Sequence, residues 1–343
     1  AEVHVTERYK TSSSIGINIE AEASVTRVQA AIVAGSEKDP NINYTEYVQK
    51  HSVCDAKGSY TLAFDFLKPE SIYTVYVLAY DENGLPTGLK SLTCSTGAVA
   101  DDPFTVTTTH VGTTTLKYNV TAKDASVKYC TFATGYDYYQ RWQLEEGTNG
   151  DVIKHFISMW STFASWYGEN WQTMMKYDRR EGTYEGDGNH LMWDARQVVI
   201  TFGMDDDGNL VTPIQVDSIH TNAPTPVDMD IPLTVLSNEW GDQQIKAAPT
   251  TNTPYFITMQ PAAYVDLYKT DAALLRALCY EADNINPTDL ARTRDEDLRD
   301  GLWKFRVRKD VDTDYYIIAV GLDEGAPATR AFKTKITVPG GSF

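Results

Sequence analysis

The chain has 343 residues, with 30 Lys or Arg against 47 Asp or Glu, for a formal net charge of −17. At about 100–150 residues per domain this length predicts two or three domains, and the acidic balance repels nucleic acid and anionic lipid, so neither is expected as a main partner. Hydrophobic residues at 42% and charged residues at 22% match ordinary globular usage and exclude wholesale disorder. No apolar run approaches the length of a membrane-spanning helix, and none is expected.

Read in chain order, the sequence repeats one grammar three times. Val3-His4-Val5-Thr6 is followed after a short gap by the alternating run Ile15-Gly16-Ile17-Asn18-Ile19. Later in this copy Tyr73-Thr74-Val75-Tyr76-Val77-Leu78-Ala79-Tyr80 runs into Asp81-Glu82-Asn83-Gly84 and a second extended stretch ending at Cys94, a hairpin with an acidic glycine-containing turn. Phe104-Thr105-Val106-Thr107 and Leu116-Lys117-Tyr118-Asn119-Val120 open a second copy, which closes on Gln197–Met204 and Asp205-Asp206-Asp207-Gly208. Leu233-Thr234-Val235 and Ile245-Lys246-Ala247 open a third, closing on Tyr315–Leu322 and Asp323-Glu324-Gly325. Period-two alternation marks strands with one face buried and one wet, and units of this length with such strands predict three tandem antiparallel β-sandwiches, a mostly β fold. The expected domains are residues 1–98, 102–223 and 227–343, with short linkers at Gly97–Pro103 and Asn222–Pro226.

The first copy reads as a plain sandwich, whereas the other two carry helical insertions, expected at about 137–190 and about 262–300. Ile153, Phe156, Ile157, Trp160, Phe163, Tyr167, Trp171 and Met174 recur at spacings of three and four, one amphipathic helix or two broken at Gly168. Thr270-Asp271 caps a helix bearing Leu274, Leu275 and Leu278, and Pro287-Thr288-Asp289 opens another around Leu290 and Leu298. The mixed-charge run Arg292–Asp300 reads as the solvated face of that helix. Alternation resumes at Trp303-Lys304-Phe305-Arg306-Val307-Arg308.

With its closing turns, of which Thr201-Phe202-Gly203-Met204-Asp205-Asp206-Asp207-Gly208 is the nearest match, the chain resembles the surface lipoproteins of gut Bacteroidetes. These are built from tandem immunoglobulin-like or fibronectin type III-like domains with helical insertions. The resemblance spans the chain and implies export and lipid anchoring at the outer membrane, at its surface or in the periplasm. The lipidated cysteine of such proteins is not among Cys54, Cys94, Cys130 and Cys279, so the anchor stays an implication. No catalytic residue carries over from the resemblance.

The residues themselves offer little catalytic chemistry. The six histidines are scattered, and there is no HExxH, GxSxG, GxxxxGK[ST] or GxGxxG. No metal site or cofactor is expected. Asp205-Asp206-Asp207 suggests a calcium loop, but the glycine and glutamate positions of an EF-hand hold Leu210 and Val216, and a hairpin turn explains the acids. The sharper lead is aromatic: five of the seven tryptophans lie in the second copy. Trp160, Phe163, Tyr167 and Trp171 read as the face docking the insertion on its sandwich. Trp166 falls off that stripe, Tyr138, Tyr139 and Trp142 precede the helix, and these four are the candidate binding residues.

Cys54 and Cys94 can be read as a disulfide of an exported domain or as two buried thiols, while Cys130 and Cys279 are expected as reduced core thiols. The leading expectation is a non-catalytic exported surface protein for adhesion, scaffolding or recognition, with a protein or a carbohydrate at the cell surface as partner. A glycan-binding component of a polysaccharide-capture system stands second and a hydrolase third.

Overall fold

The acidic turns close hairpins in all three copies. In the computed structural model, which describes residues 2–281 and 301–342, strand Ile72–Tyr80 pairs antiparallel with Pro86–Ser95. Arg196–Gly203 lies beside Gln215–His220, and Thr313–Asp323 pairs antiparallel with Ala326–Pro327 and Phe332–Val338. The first two turns share one hydrogen-bond pattern. Asp81 Oδ1 accepts from the backbone N–H groups of Asn83 (2.8 Å) and Leu85 (3.0 Å), and Asp205 Oδ1 accepts from those of Asp207 (3.0 Å) and Asn209 (2.8 Å). The turn thus consumes the leading carboxylate of each acidic run, as an Asx-turn does.

The sheets pair face to face. In the first sandwich Val3–Lys10, Ile15–Ala21 and Tyr60–Phe64 form one sheet, and Cys54–Ala56, Arg27–Ala34, Ile72–Tyr80 and Pro86–Ser95 form the other in that order. Ile15, Ile17 and Ile19 meet Val28, Ala30, Val75 and Val77 between them, as period-two alternation requires. The second pairs Phe104–Val111, Leu116–Ala122 and Thr183–Gly188 with Tyr129–Gly135, Arg196–Gly203 and Gln215–His220. Tyr118 Oη lies 3.3 Å from Thr131 Oγ1 across that layer. The third encloses Ile245, Ala247, Ile257, Met259, Ile317 and Ala319. The chain divides into two compact units: Ala1–Thr109, Lys117–Gly188 and Arg196–Ile219 form the first, and His110–Leu116, Asn189–Ala195 and His220–Phe343 the second.

The strand before each turn is buried on both faces: Thr74–Tyr80, Gln197–Gly203 and Ile317–Leu322 have no exposed residue. This is why those strands read as continuous apolar runs rather than alternating ones. Helices cover the outer face each time. Helix α1 (Tyr44–His51) lays Tyr44 and Val48 on Ala31, Tyr76, Leu78 and Tyr80, with Tyr44 and Tyr76 stacked at 4.5 Å. The first sandwich is therefore not plain, which corrects the sequence reading. Two buried positions in eight residues give too short a stripe to detect, and the strongest local signal is the Asn43 cap, which accepts from Thr45 and Glu46.

Helices α2 (Tyr136–Leu144), α3 (Val152–Tyr167) and α4 (Trp171–Asp178) cover the second sandwich. Helices α5 (Ala262–Val265) and α6 (Asp271–Arg276) bring Val265, Leu274 and Leu275 onto Ile318 and Val320 of the third. The helix expected around Leu290 and Leu298, and the charged run Arg292–Asp300, lie outside the described residues. No described helix is long and apolar enough to cross a membrane.

Sheet order also overturns the Cys54–Cys94 bridge. The two cysteines sit on the outermost strands of a four-stranded sheet, as separate buried thiols. Three strand spacings of about 4.8 Å put their backbones about 14 Å apart, twice the reach of about 7 Å that a disulfide allows. Cys130 is a buried thiol, and Cys279 a half-buried one.

Candidate functional site: the helical insertion of the second sandwich

Local sequence sets the ends of the insertion. Asp151 caps α3 by accepting from Ile153 N–H at 3.1 Å, and Gly168 ends it in the left-handed conformation, φ 67°. Asn170 caps α4 by accepting from Thr173 N–H at 2.9 Å. The stripe is thus two helices broken at Gly168, packed against each other through Trp160 and Trp171, whose rings stack at 6.2 Å. Trp160 is 1% exposed, and Phe156 stacks on Phe132 of the sheet at 4.4 Å.

The insertion does not segregate its aromatics as the spacing predicted. The buried line of α3 runs Ile153, Phe156, Trp160 and Ala164. The small Ala164 takes the buried place next along that line, one turn beyond Trp160. Phe163 and Tyr167, expected in the core, are 40% and 71% exposed. Together with Trp166, 67% exposed, they form one outward patch at the end of α3, and Phe163 and Trp166 meet edge to face at 5.2 Å and 87°.

The other three candidates are not free surface. Tyr139 is 1% exposed, which corrects its placement as an exposed contact: its ring packs with the core of the insertion and its hydroxyl donates to Asp65 Oδ2 at 2.8 Å. Trp142 is half-buried, stacked at 4.3 Å on His155, whose Nδ1 lies 2.7 Å from Glu145. Tyr138 is half-buried beneath the Arg141 guanidinium, 4.6 Å from its ring. Of the four, only Trp166 stands in solvent.

Sequence reading missed Asp65, which directly follows the strand Tyr60–Phe64 and has no local signal. It accepts from Ser14 Oγ at 2.6 Å as well as from Tyr139, and burial raises its pKa above the usual carboxylate range. A cavity of about 280 Å³ opens beside it, walled by Tyr60, Leu62, Phe64, Tyr136, Tyr139 and Leu144. Phe66, the second residue beyond the strand, holds φ 60°, a left-handed conformation rare for a bulky side chain. Its ring meets Tyr136 edge-on at 5.1 Å and carries the Arg196 guanidinium at 4.1 Å.

No family model and no curated protein matches the chain. Among solved structures it is similar to the central fibronectin-III array of RIM-binding protein, at 9% identity and a TM-score of 0.20, covering 74% of this chain and 81% of that one. It is also similar to the chicken CNTN1 FN1–FN3 domains, at 11% identity and a TM-score of 0.23, covering 98% and 97%. Overlays this loose carry no argument about site or activity. The fold class rests on the chain's own sheets, which are mostly β and antiparallel.

Proposed function

We propose that this is a non-catalytic recognition protein, exported and held at a cell surface, in which tandem sandwiches act as scaffold and the end of α3 makes the contact. The observation that carries this reading is the exposure of Phe163, Trp166 and Tyr167 side by side on a helix whose opposite side is fixed in the core. Large aromatic rings held in water cost hydrophobic free energy that a partner recovers, and Trp and Tyr dominate the anchors of protein interfaces. The perpendicular Phe163–Trp166 pair favours a protein partner over a sugar, whose faces stack on rings presented flat.

A photo-crosslinking benzoylphenylalanine at position 166 tests this on cells, with the same group at exposed Lys154 on α3 as control. A single protein adduct from position 166, absent from position 154, is the expected result. Matching adducts from both positions, or none, would remove the reading. A glycan array that bound the wild type and not Trp166→Ala would replace the protein partner with a carbohydrate.

A further inference from the structure

The Asp65 cavity is a separate matter from the α3 patch. Its walls combine three tyrosines, Tyr60, Tyr136 and Tyr139, with Phe64, Leu62 and Leu144, and Asp65 is the acid among the lining residues. Among the described residues no basic side chain pairs with that carboxylate. Of the arginines nearby, Arg8 is held by Asp151 through two hydrogen bonds of 3.2 and 3.1 Å, and Arg196 lies over the rings of Phe66 and Tyr136. Both neutral donors on Asp65, Ser14 and Tyr139, leave one lone pair on each oxygen. A carboxylate in an apolar wall without a cation is costly, so burial favours its protonated form, and a cation bound beside it would offset the cost of ionising it. Aromatic faces around it attract the same kind of charge.

We propose that this cavity binds a small organic ammonium compound, its cationic head against Asp65 and its apolar body against Leu62, Phe64 and Leu144. The size sets the class: about 280 Å³ lies at the low end of ligand pockets and suits a compound far smaller than a peptide or an oligosaccharide. The net charge of −17 raises the local concentration of any cation around the chain. The strained Phe66, locked between Tyr136 and Arg196, holds the backbone next to Asp65 in one conformation, so the acid is positioned before a ligand arrives.

Calorimetric titration of the whole chain with phenethylammonium and with its neutral isostere 2-phenylethanol, at neutral pH, separates charge from shape. Saturable binding of the ammonium, with a dissociation constant about tenfold or more below that of the alcohol, is the expected result, since one desolvated cation–π or ionic contact is worth about that factor. Asp65→Asn should bring the two constants together. Should that variant fail to fold, Gln140→Trp, at an exposed lining position of α2, should abolish ammonium binding by filling the mouth. Equal constants for the two probes, no saturable binding of the ammonium, or a preference that survives either folded variant would each overturn the proposal.

Discussion

The Trp160 indole N–H donates to Asp178 Oδ2 at 2.6 Å, joining the middle of α3 to the end of α4. Six residues further along α3, Trp166 meets Phe163 edge to face and is 67% exposed. Two tryptophans on one helix thus hold opposite roles. Trp160→Ala should cost about 3–5 kcal/mol, through the cavity it leaves and the lost partner of Asp178. Trp166→Ala should stay within about 0.5 kcal/mol. Urea unfolding of both variants checks the contrast, and equal losses would mean that the end of α3 is packed as tightly as its middle.

Gly84 and Gly208 occupy the same turn position with φ 75° and 85°, but their surroundings differ. A Cβ on Gly84 meets nothing within 4 Å, whereas one on Gly208 would lie 2.0 Å from the Trp171 ring. Gly84→Ala should therefore cost only the left-handed penalty, about 1 kcal/mol. Gly208→Ala should cost about 2–4 kcal/mol, because α4 must shift. Denaturant midpoints measure the difference, and near-equal values would show that α4 moves freely.

Asp217 accepts from Gln215 Nε2 at 3.0 Å, and the same amide nitrogen donates to the Phe104 carbonyl. Burial raises its pKa to about 6, and the nearby Asp102 carboxylate raises it further. Between about pH 4, where the carboxyl ionises in the unfolded chain, and about pH 6 the folded state keeps a proton that the unfolded state has lost. The stability this proton supplies is complete below that window and is lost as pH rises through it. A fall of about 1–2 kcal/mol is expected, reduced from the full linkage value because the group is half-buried. Asp217→Asn should flatten that part of the stability curve measured against wild type. An unchanged slope would place the titration elsewhere.

Cys54 and Cys130 have thiol pKa values pushed up to about 11 and about 12 by burial. Both should resist alkylation in the folded protein at neutral pH, since the thiolate is the reacting species. After unfolding without reductant, mass spectrometry should find all four cysteines alkylated. A Cys54–Cys94 pair recovered as a bridge would contradict the order of that sheet.

How far the sequence determined this protein follows from the range of each interaction. Alternation in Ile15–Ile19, the aspartate–glycine turns and the caps at Asp151, Asn170 and Thr270 are short-range chemistry, and strands, hairpins and helix ends all formed where those residues stand. The break at Gly168 was equally local. What neighbours cannot specify is which side of an element meets which partner. Tyr139 and Trp166 look alike in sequence, yet Tyr139 is buried because Asp65 and Ser14 arrive from another part of the chain, and Trp166 is exposed because α4 docks on the opposite side of α3. Likewise, Cys54 and Cys94 are parted by two intervening strands whose order no local pattern encodes. The sequence alone set the elements and their repetition. Only tertiary packing, through burial and hydrogen bonds between distant segments, decided which aromatics face water and where an acid is left beside a cavity.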